Sequence, residues 1–180
     1  MPKIEVRPAV IEDIPKLMDI DHNYHTEHVW QLDIVTDERY IGVNFRENRL
    51  PRSVKVEYPR STKRLMKDWI HRDALLVAIM DKQPVAYISL NTDMAPLSGW
   101  ITDLVVKPTV RGQGIGTALV MAGEEWATQQ LSLKRIIVDM QSKNIPGIRL
   151  FTKLGFEFCG YNDHFYANQD IAIFFSHFLV

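Results

Sequence analysis

The chain has very little cysteine: one residue, Cys159, in 180. That excludes an internal disulfide framework and fits a reducing compartment. It also lacks an excess of charge, with 21 Lys and Arg against 22 Asp and Glu and a net charge of −1. A dedicated nucleic-acid binder is usually clearly basic, so nucleic acid is not an expected partner. No apolar run approaches the length of a membrane span, and Met1–Arg7 carries no apolar core of a signal peptide. Repeats and low-complexity segments are absent. What these absences leave is a soluble cytoplasmic protein, long enough for one domain, 1–180, around a single core.

What is present is a glycine-rich stretch on which the rest turns, Leu104-Val105-Val106 followed by Lys107-Pro108 and then Arg111-Gly112-Gln113-Gly114-Ile115-Gly116-Thr117. A short apolar run, a turn and a helix-forming segment (Ala118–Ala127) follow one another there. A strand feeding a glycine turn that opens a helix can hold phosphate. Glycines let the backbone approach closely, and the first N–H groups of the helix point at the anion. Spacing excludes two common versions. A dinucleotide fingerprint requires glycine where Thr117 stands, and a nucleoside-triphosphate loop requires Gly-Lys-Ser/Thr, which is missing.

The flanking pattern predicts a mixed α/β chain. Ile4–Arg7 alternates as a half-buried strand, and a helix from Ala9 presents Ile11, Ile14, Leu17, Met18 and Ile20, with Glu12-Asp13 suited to its first turn. The segment 21–59 is irregular: a short helix or loop near 21–29, then strand-like pieces at 30–32 and 54–58. Its aromatic residues read either as a substrate-binding wall or as a cap on the core. Ser61–His71 is predicted as a helix capped by Ser61 or Thr62, with Leu65, Met66, Trp69 and Ile70 on one face. An antiparallel hairpin follows (75–80 and 85–90, turn Asp81–Pro84), then a strand at 100–106. After the glycine turn and its helix come a strand at 134–141, a helix at 144–154 closed by Gly155, and strands at 156–158 and 171–178.

This order, with Arg111, Gly114 and Gly116 after an apolar strand and with Asn144, Leu150-Phe151, Lys153 and Gly155-Phe156 beyond, resembles the GNAT superfamily of N-acetyltransferases. The ending Tyr166-Ala167-Asn168, then Ile171–Phe175, is similar to the streptothricin acetyltransferase branch. The resemblance implies a mixed, largely antiparallel sheet with a splayed central strand pair and helices on both faces. It implies an acetyl-CoA core at 74–156, an acceptor side at 21–59, and acetyl-CoA as co-substrate without a metal. Leu104, Val105 and Val106 would border the pantetheine arm, and the Val106 N–H would bind the thioester carbonyl. The backbone of Arg111, Gly112, Gln113, Gly114, Ile115, Gly116 and Thr117 would surround the pyrophosphate, with the Arg111 cation and Thr117 hydroxyl adding to it. Asn144, Phe151 and Lys153 would complete the cofactor wall.

The expected reaction is direct attack of a small-molecule or peptide primary amine in a ternary complex. An alkyl ammonium has a pKa of about 10.4, so a proton acceptor is required. Asp103, just before the cofactor strand and pointing opposite Leu104, is the first candidate for base or ammonium anchor; Asp93 and Asp139 follow. Relatives often protonate the leaving thiolate with a tyrosine where this chain has Phe151, so Tyr161, Tyr166, solvent or no acid at all remain. Cys159 reads as a core residue rather than a nucleophile. His22, His25 and His28 lie three apart, near one helical face, as an acceptor entrance rather than a metal site. Residues 46–72 carry a basic strip, expected as a solvated face. Dimerisation through Phe174, Phe175 and Phe178 is expected because alternation cannot turn all three inward. A non-catalytic acyl-CoA sensor or interaction module on the same fold is the alternative.

Overall fold

The computed structural model describes residues 3–130 and 132–179. In chain order the elements are β1 (Ile4–Pro8), α1 (Ile14–Met18), β2 (Tyr24–Thr36), β3 (Ile41–Val56), α2 (Lys63–Asp68), β4 (Ala74–Met80), β5 (Gln83–Asn91) and β6 (Ser98–Val106), then α3 (Ile115–Thr128), β7 (Arg135–Gln141), α4 (Ile145–Lys153), β8 (Glu157–Asn162) and β9 (Ala172–Phe178). Seven strands make one sheet in the order β1-β4-β5-β6-β7-β9-β8, while β2 and β3 form a separate ribbon. Neighbours are antiparallel except β6 and β7, which run parallel. The expected mixed, largely antiparallel sheet is therefore present. One face packs on α3 and α4 through Ile88, Leu90, Ile101, Ile115, Leu119, Ile136 and Phe151. The other packs on α1 and α2 through Ile14, Leu17, Leu65, Val77, Tyr87 and Val105. Helices cover both faces.

Local chemistry explains the elements that match expectation. Asp81 and Lys82 both have positive φ (49° and 62°), so a two-residue turn joins β4 to β5 with the twist that a hairpin favours. Asn144 caps α4 by accepting from the Gly147 N–H at 3.0 Å. Near the N-terminus the helix is shorter than predicted, a 3-10 turn at Ile11–Asp13 and then α1. Asp13 does not serve the helix dipole. Its carboxylate is buried and accepts from Arg7 (2.7 and 3.1 Å) and from the Val10 N–H (2.9 Å). Burial opposes its ionisation, but those donors outweigh burial and hold its pKa below the usual value.

Three expectations are corrected. Segment 21–59 is mostly the β2–β3 ribbon, paired from Tyr24↔Val56 to Thr36↔Ile41. Pro51 sits in its interruption, where Thr26 pairs with Val54 but His28 with Arg49, so no ladder donor is lost. Helix α2 covers only part of 61–71, and Met66 and Ile70 are exposed (44% and 65%) rather than on a buried face. Cys159 is exposed on β8, the sheet's edge strand, not a core residue. Strand β9 lies between β7 and β8, with Phe175 buried, Phe174 half-buried against Trp100 and Phe165, and Phe178 exposed, so the three do not all turn inward.

Candidate active site

The site begins with one extra residue. Ser89 pairs with Asp103 but Leu90 with Ile101, so Thr102 bulges from β6. A bulge breaks the two-residue alternation and bends its strand. Before it, Ile101 faces the α3–α4 core; after it, Leu104 packs on that core while Val105 joins the α1–α2 side. Pairing of β6 with β7 runs from Ser98↔Arg135 to Ile101↔Val138 and stops there. Beyond this point the two parallel strands separate. The splay implied by the resemblance is present, and it starts at the bulge.

A cavity of about 470 Å³ fills the fork. The Lys107 N–H donates to Val85 O at 2.8 Å. By strand alternation the Leu104 and Val106 N–H groups then point away from β5, across the gap. At one end lie Arg111, Gly112, Gly114, Ile115, Gly116, Thr117 and the start of α4 at Asn144; Phe151 and Lys153 also border the cavity. Gly112 and Gly114 have φ of 77° and 84°, and a Cβ built on either meets nothing within 4 Å. Other residues are strained in this conformation by about 1–2 kcal/mol, and the open space beside it is room for an anion. Gln113 is exposed and outside the cavity wall. Arg111 points elsewhere than expected. Its Nε donates to Val106 O (2.8 Å) and its Nη2 to the carbonyls of Asp21 and Asn23 (3.1 Å each).

The other side of the cavity carries the polar groups. Asp103 is buried, as β6 turns it opposite Leu104. Its Oδ1 accepts from the Tyr58 hydroxyl, and its Oδ2 from Arg72 Nη1 at 2.5 Å. Arg72 also donates to Ser89 Oγ at 2.7 Å. On β7, Asp139 sits at the crotch of the fork with a fully buried side chain. Its Oδ1 accepts from Trp100 Nε1 (2.7 Å), and its Oδ2 from Arg60 Nη2 and the Tyr166 hydroxyl (2.6 Å each). Tyr24 donates to Gln141 Oε1 at 3.0 Å. Burial first, and the nearby carboxylates second, push the phenols of Tyr24, Tyr58 and Tyr166 well above their ordinary pKa.

Tyr166 is thus in the cavity wall with its proton given to Asp139, whereas Tyr161 lies outside it and packs on Phe45. Phe151 is buried against Phe156 and has no proton to offer. The histidines do not share a helical face. His22 is buried, its Nδ1 donating to Ile20 O (2.6 Å) and its Nε2 accepting from Tyr87 (2.8 Å), while His25 and His28 lie on β2. The donor role of Nδ1 follows because a carbonyl can only accept. Burial lowers the His22 pKa, partly offset by the Ile20 bond. No group of three or more metal-ligating side chains occurs among the described residues. Of the basic strip, Arg60 and Arg72 are drawn inside as partners of Asp139 and Asp103; the rest is exposed. Asp93 is exposed and outside the cavity.

Sequence reasoning missed Tyr24, Tyr58, Arg60, Arg72 and Gln141 as site residues. Tyr24 and Tyr58 belonged to the aromatic segment read either as a substrate wall or as a cap on the core, and Arg60 and Arg72 to the basic strip. Gln141 gave no signal.

The model of the acetyltransferase (GNAT) family matches residues 43–156. A streptothricin acetyltransferase of Escherichia coli is 32% identical over 107 residues, which span 56% of this chain and 60% of that protein. Among solved structures, a nourseothricin acetyltransferase superposes with a TM-score of 0.83 at 19% identity, covering 98% of this chain and 99% of its own. A Bacillus anthracis protein solved in complex with acetyl coenzyme A superposes with a TM-score of 0.78 at 18% identity, covering 98% and 99%. These structural likenesses are likenesses of fold.

Proposed function

The chain belongs to the acetyltransferase (GNAT) family, and from that premise we propose that it transfers an acetyl group from acetyl-CoA to a primary amine by direct attack in a ternary complex. The observation that carries this is the fork: β6 and β7 part after Ile101 and Val138, and the gap runs as one cavity to the open glycine turn. Acetyl-CoA, when bound, supplies the thioester carbonyl that the amine attacks. The turn from Arg111 to Thr117 would hold the pyrophosphate on its N–H groups, aided by the partial positive charge of the α3 N-terminus. Lys153, exposed at the cavity margin, adds a cation there. Leu104, Val105 and Val106 border the arm, and Asn144 and Phe151 form the opposite wall. The Val106 N–H, directed into the gap, is the donor for the developing oxyanion, a contribution of about 3 kcal/mol in comparable sites.

On the acceptor side, Asp103 anchors the ammonium or receives its proton through water. Tyr58 and Arg72 fix the carboxylate, and each of its oxygens keeps a further lone pair for that purpose. Tyr24, Tyr58 and Tyr166 all donate to protein acceptors, so none is free to protonate the leaving thiolate. Loss of a thiolate whose acid has a pKa of about 8.5 is tolerable without one. The domain is read as 1–180, with its acceptor side at 21–59 and its core at 74–156, acting in the cytoplasm on a small-molecule or peptide amine. Streptothricin is the first acceptor to try, given the relative that bears its name.

Isothermal titration is expected to give acetyl-CoA binding that Gly114→Trp abolishes by filling the space beside the turn. Coenzyme release across an amine panel including streptothricin then tests transfer. Absence of binding to folded wild type overturns the proposal. Phe151 and the engaged tyrosines favour one other reading, a non-catalytic acyl-CoA sensor, which binding without thiol release on any amine would select.

A further inference from the structure

The arginine of the glycine turn makes three bonds, all to backbone carbonyls and none directed into the phosphate space. Nε holds Val106 O, the last carbonyl of β6 on the open edge, and Nη2 holds Asp21 O and Asn23 O. Residues 21–23 carry the acceptor wall. His22 lines the fork cavity and also a second pocket, of about 390 Å³, shared with Tyr58 and Arg60. The Asn23 side chain accepts from the Tyr58 N–H at 2.9 Å, and the Tyr58 hydroxyl donates to Asp103. Tyr24, the next residue, borders the cavity and bonds Gln141. A single guanidinium thus bridges the cofactor turn and the segment from which the acceptor-side side chains hang. Its planar fork suits this task, because one rigid group reaches carbonyls on two chain segments at once.

We infer that Arg111 is a latch rather than a phosphate ligand: it couples order in the cofactor turn to order in the acceptor wall at 21–24, so that the acceptor side is assembled by occupation of the cofactor side. The inference rests on the proposed acetyl-CoA reading and deepens it by giving binding an order. When the turn is fixed by a pyrophosphate, the arginine that leaves it at position 111 is fixed too, and so are the carbonyls it holds. Acceptor affinity then rises after the cofactor binds, and by linkage the acceptor tightens the cofactor in return.

Hydrogen–deuterium exchange with and without coenzyme A, on wild type, Arg111→Lys and Arg111→Gln, tests this without needing the acceptor. In wild type, coenzyme A is expected to slow exchange both at 111–117 and at 21–24. In Arg111→Lys, which keeps the charge but loses the fork, and in Arg111→Gln, protection of 111–117 is expected to persist, with the coenzyme A dissociation constant within about threefold of wild type. Protection at 21–24 is expected to disappear in both. Equal protection at 21–24 in wild type and both variants overturns the latch. So does a more than tenfold loss of coenzyme A affinity in Arg111→Gln with recovery in Arg111→Lys, which would make the residue a phosphate-binding cation. If wild type shows no protection anywhere, the acetyl-CoA reading itself has failed, and the latch with it. Matched thermal melts of the three proteins exclude misfolding as the cause.

Discussion

Replacing Asp139 by Asn changes one atom and leaves no arrangement that satisfies its neighbours. The carboxylate receives three donors: Trp100 Nε1 on Oδ1, and Arg60 Nη2 with the Tyr166 hydroxyl on Oδ2. With the amide oxygen toward Arg60 and Tyr166, the new NH2 faces the Trp100 N–H, donor against donor. Turned over, the NH2 faces the guanidinium. One buried donor stays unpartnered in either orientation, at about 1–3 kcal/mol. In addition Arg60 loses its counter-charge. Removing one member of a buried pair costs about 3–5 kcal/mol, and the 25% exposure of the Arg60 side chain argues for the lower end. We therefore expect Asp139→Asn to lose about 4 kcal/mol, the sum of the two lower ends, in urea unfolding at pH 7, with an unchanged slope and a lower midpoint. Combined with Arg60→Met, which removes the stranded charge, the loss should fall short of the sum of the single losses by about 1–2 kcal/mol. A single-mutant loss under about 1 kcal/mol, or strict additivity in the double mutant, would refute the view that these groups form one closed cluster.

Two other outcomes separate the tyrosines and the buried histidine. Tyr161→Phe should leave the turnover number within twofold of wild type, because its ring lies on Phe45 outside the cavity. Tyr166→Phe should destabilise by about 1–2 kcal/mol through the lost bond to Asp139 yet lower turnover less than tenfold, since its proton is already engaged; a hundredfold fall in turnover would restore it as the acid. Burial lowers the His22 pKa below its ordinary 6.5, so the unfolded chain binds a proton that the folded chain refuses. The stability this contributes is complete above pH 6.5 and is lost as pH falls toward the folded pKa. Urea midpoints should accordingly drop between pH 7.5 and 5.5 in wild type and drop less in His22→Gln. An identical decline in both proteins would show that another group governs this range.

What could be read from the sequence was what is decided locally. The β4–β5 turn, the Gly155 helix end and the glycine turn each depend on a few adjacent residues, and all stand where expected. The ribbon was illegible for a physical reason. Alternation marks a strand that buries one face, and in β2 and β3 only Thr26, Gly42 and Val56 are buried. Ile34, Val35, Tyr40 and Ile41 lie near its tip in solvent, so no core imposed a period on them. The polar side of the site was hidden by distance along the chain. Tyr58 meets Asp103 across 45 positions and Arg60 meets Asp139 across 79, pairings that no spacing rule announces. Arg111 was singled out by its motif, but its direction was not legible, because two of the three carbonyls it holds are 88 and 90 positions away.

The bulge at Thr102 also gives β6 a property that its residue types do not suggest. The strand is two segments of opposite phase joined by a single residue. Deleting that residue would leave a regular strand that keeps its register: Ile101 would still pair with Leu90 and Asp103 with Ser89, so Leu104 and Val106 would stay on the side of α3 and α4, and Asp103 and Val105 on the acceptor side. A one-residue deletion here would therefore spare the facing of the binding surface and act instead on the bend at which β6 leaves β7. An extra residue, more than its identity, is what position 102 contributes, and grafts or chimaeras joined within β6 that keep it must leave it unpaired, since drawing Thr102 into the ladder would turn every later side chain to the other face.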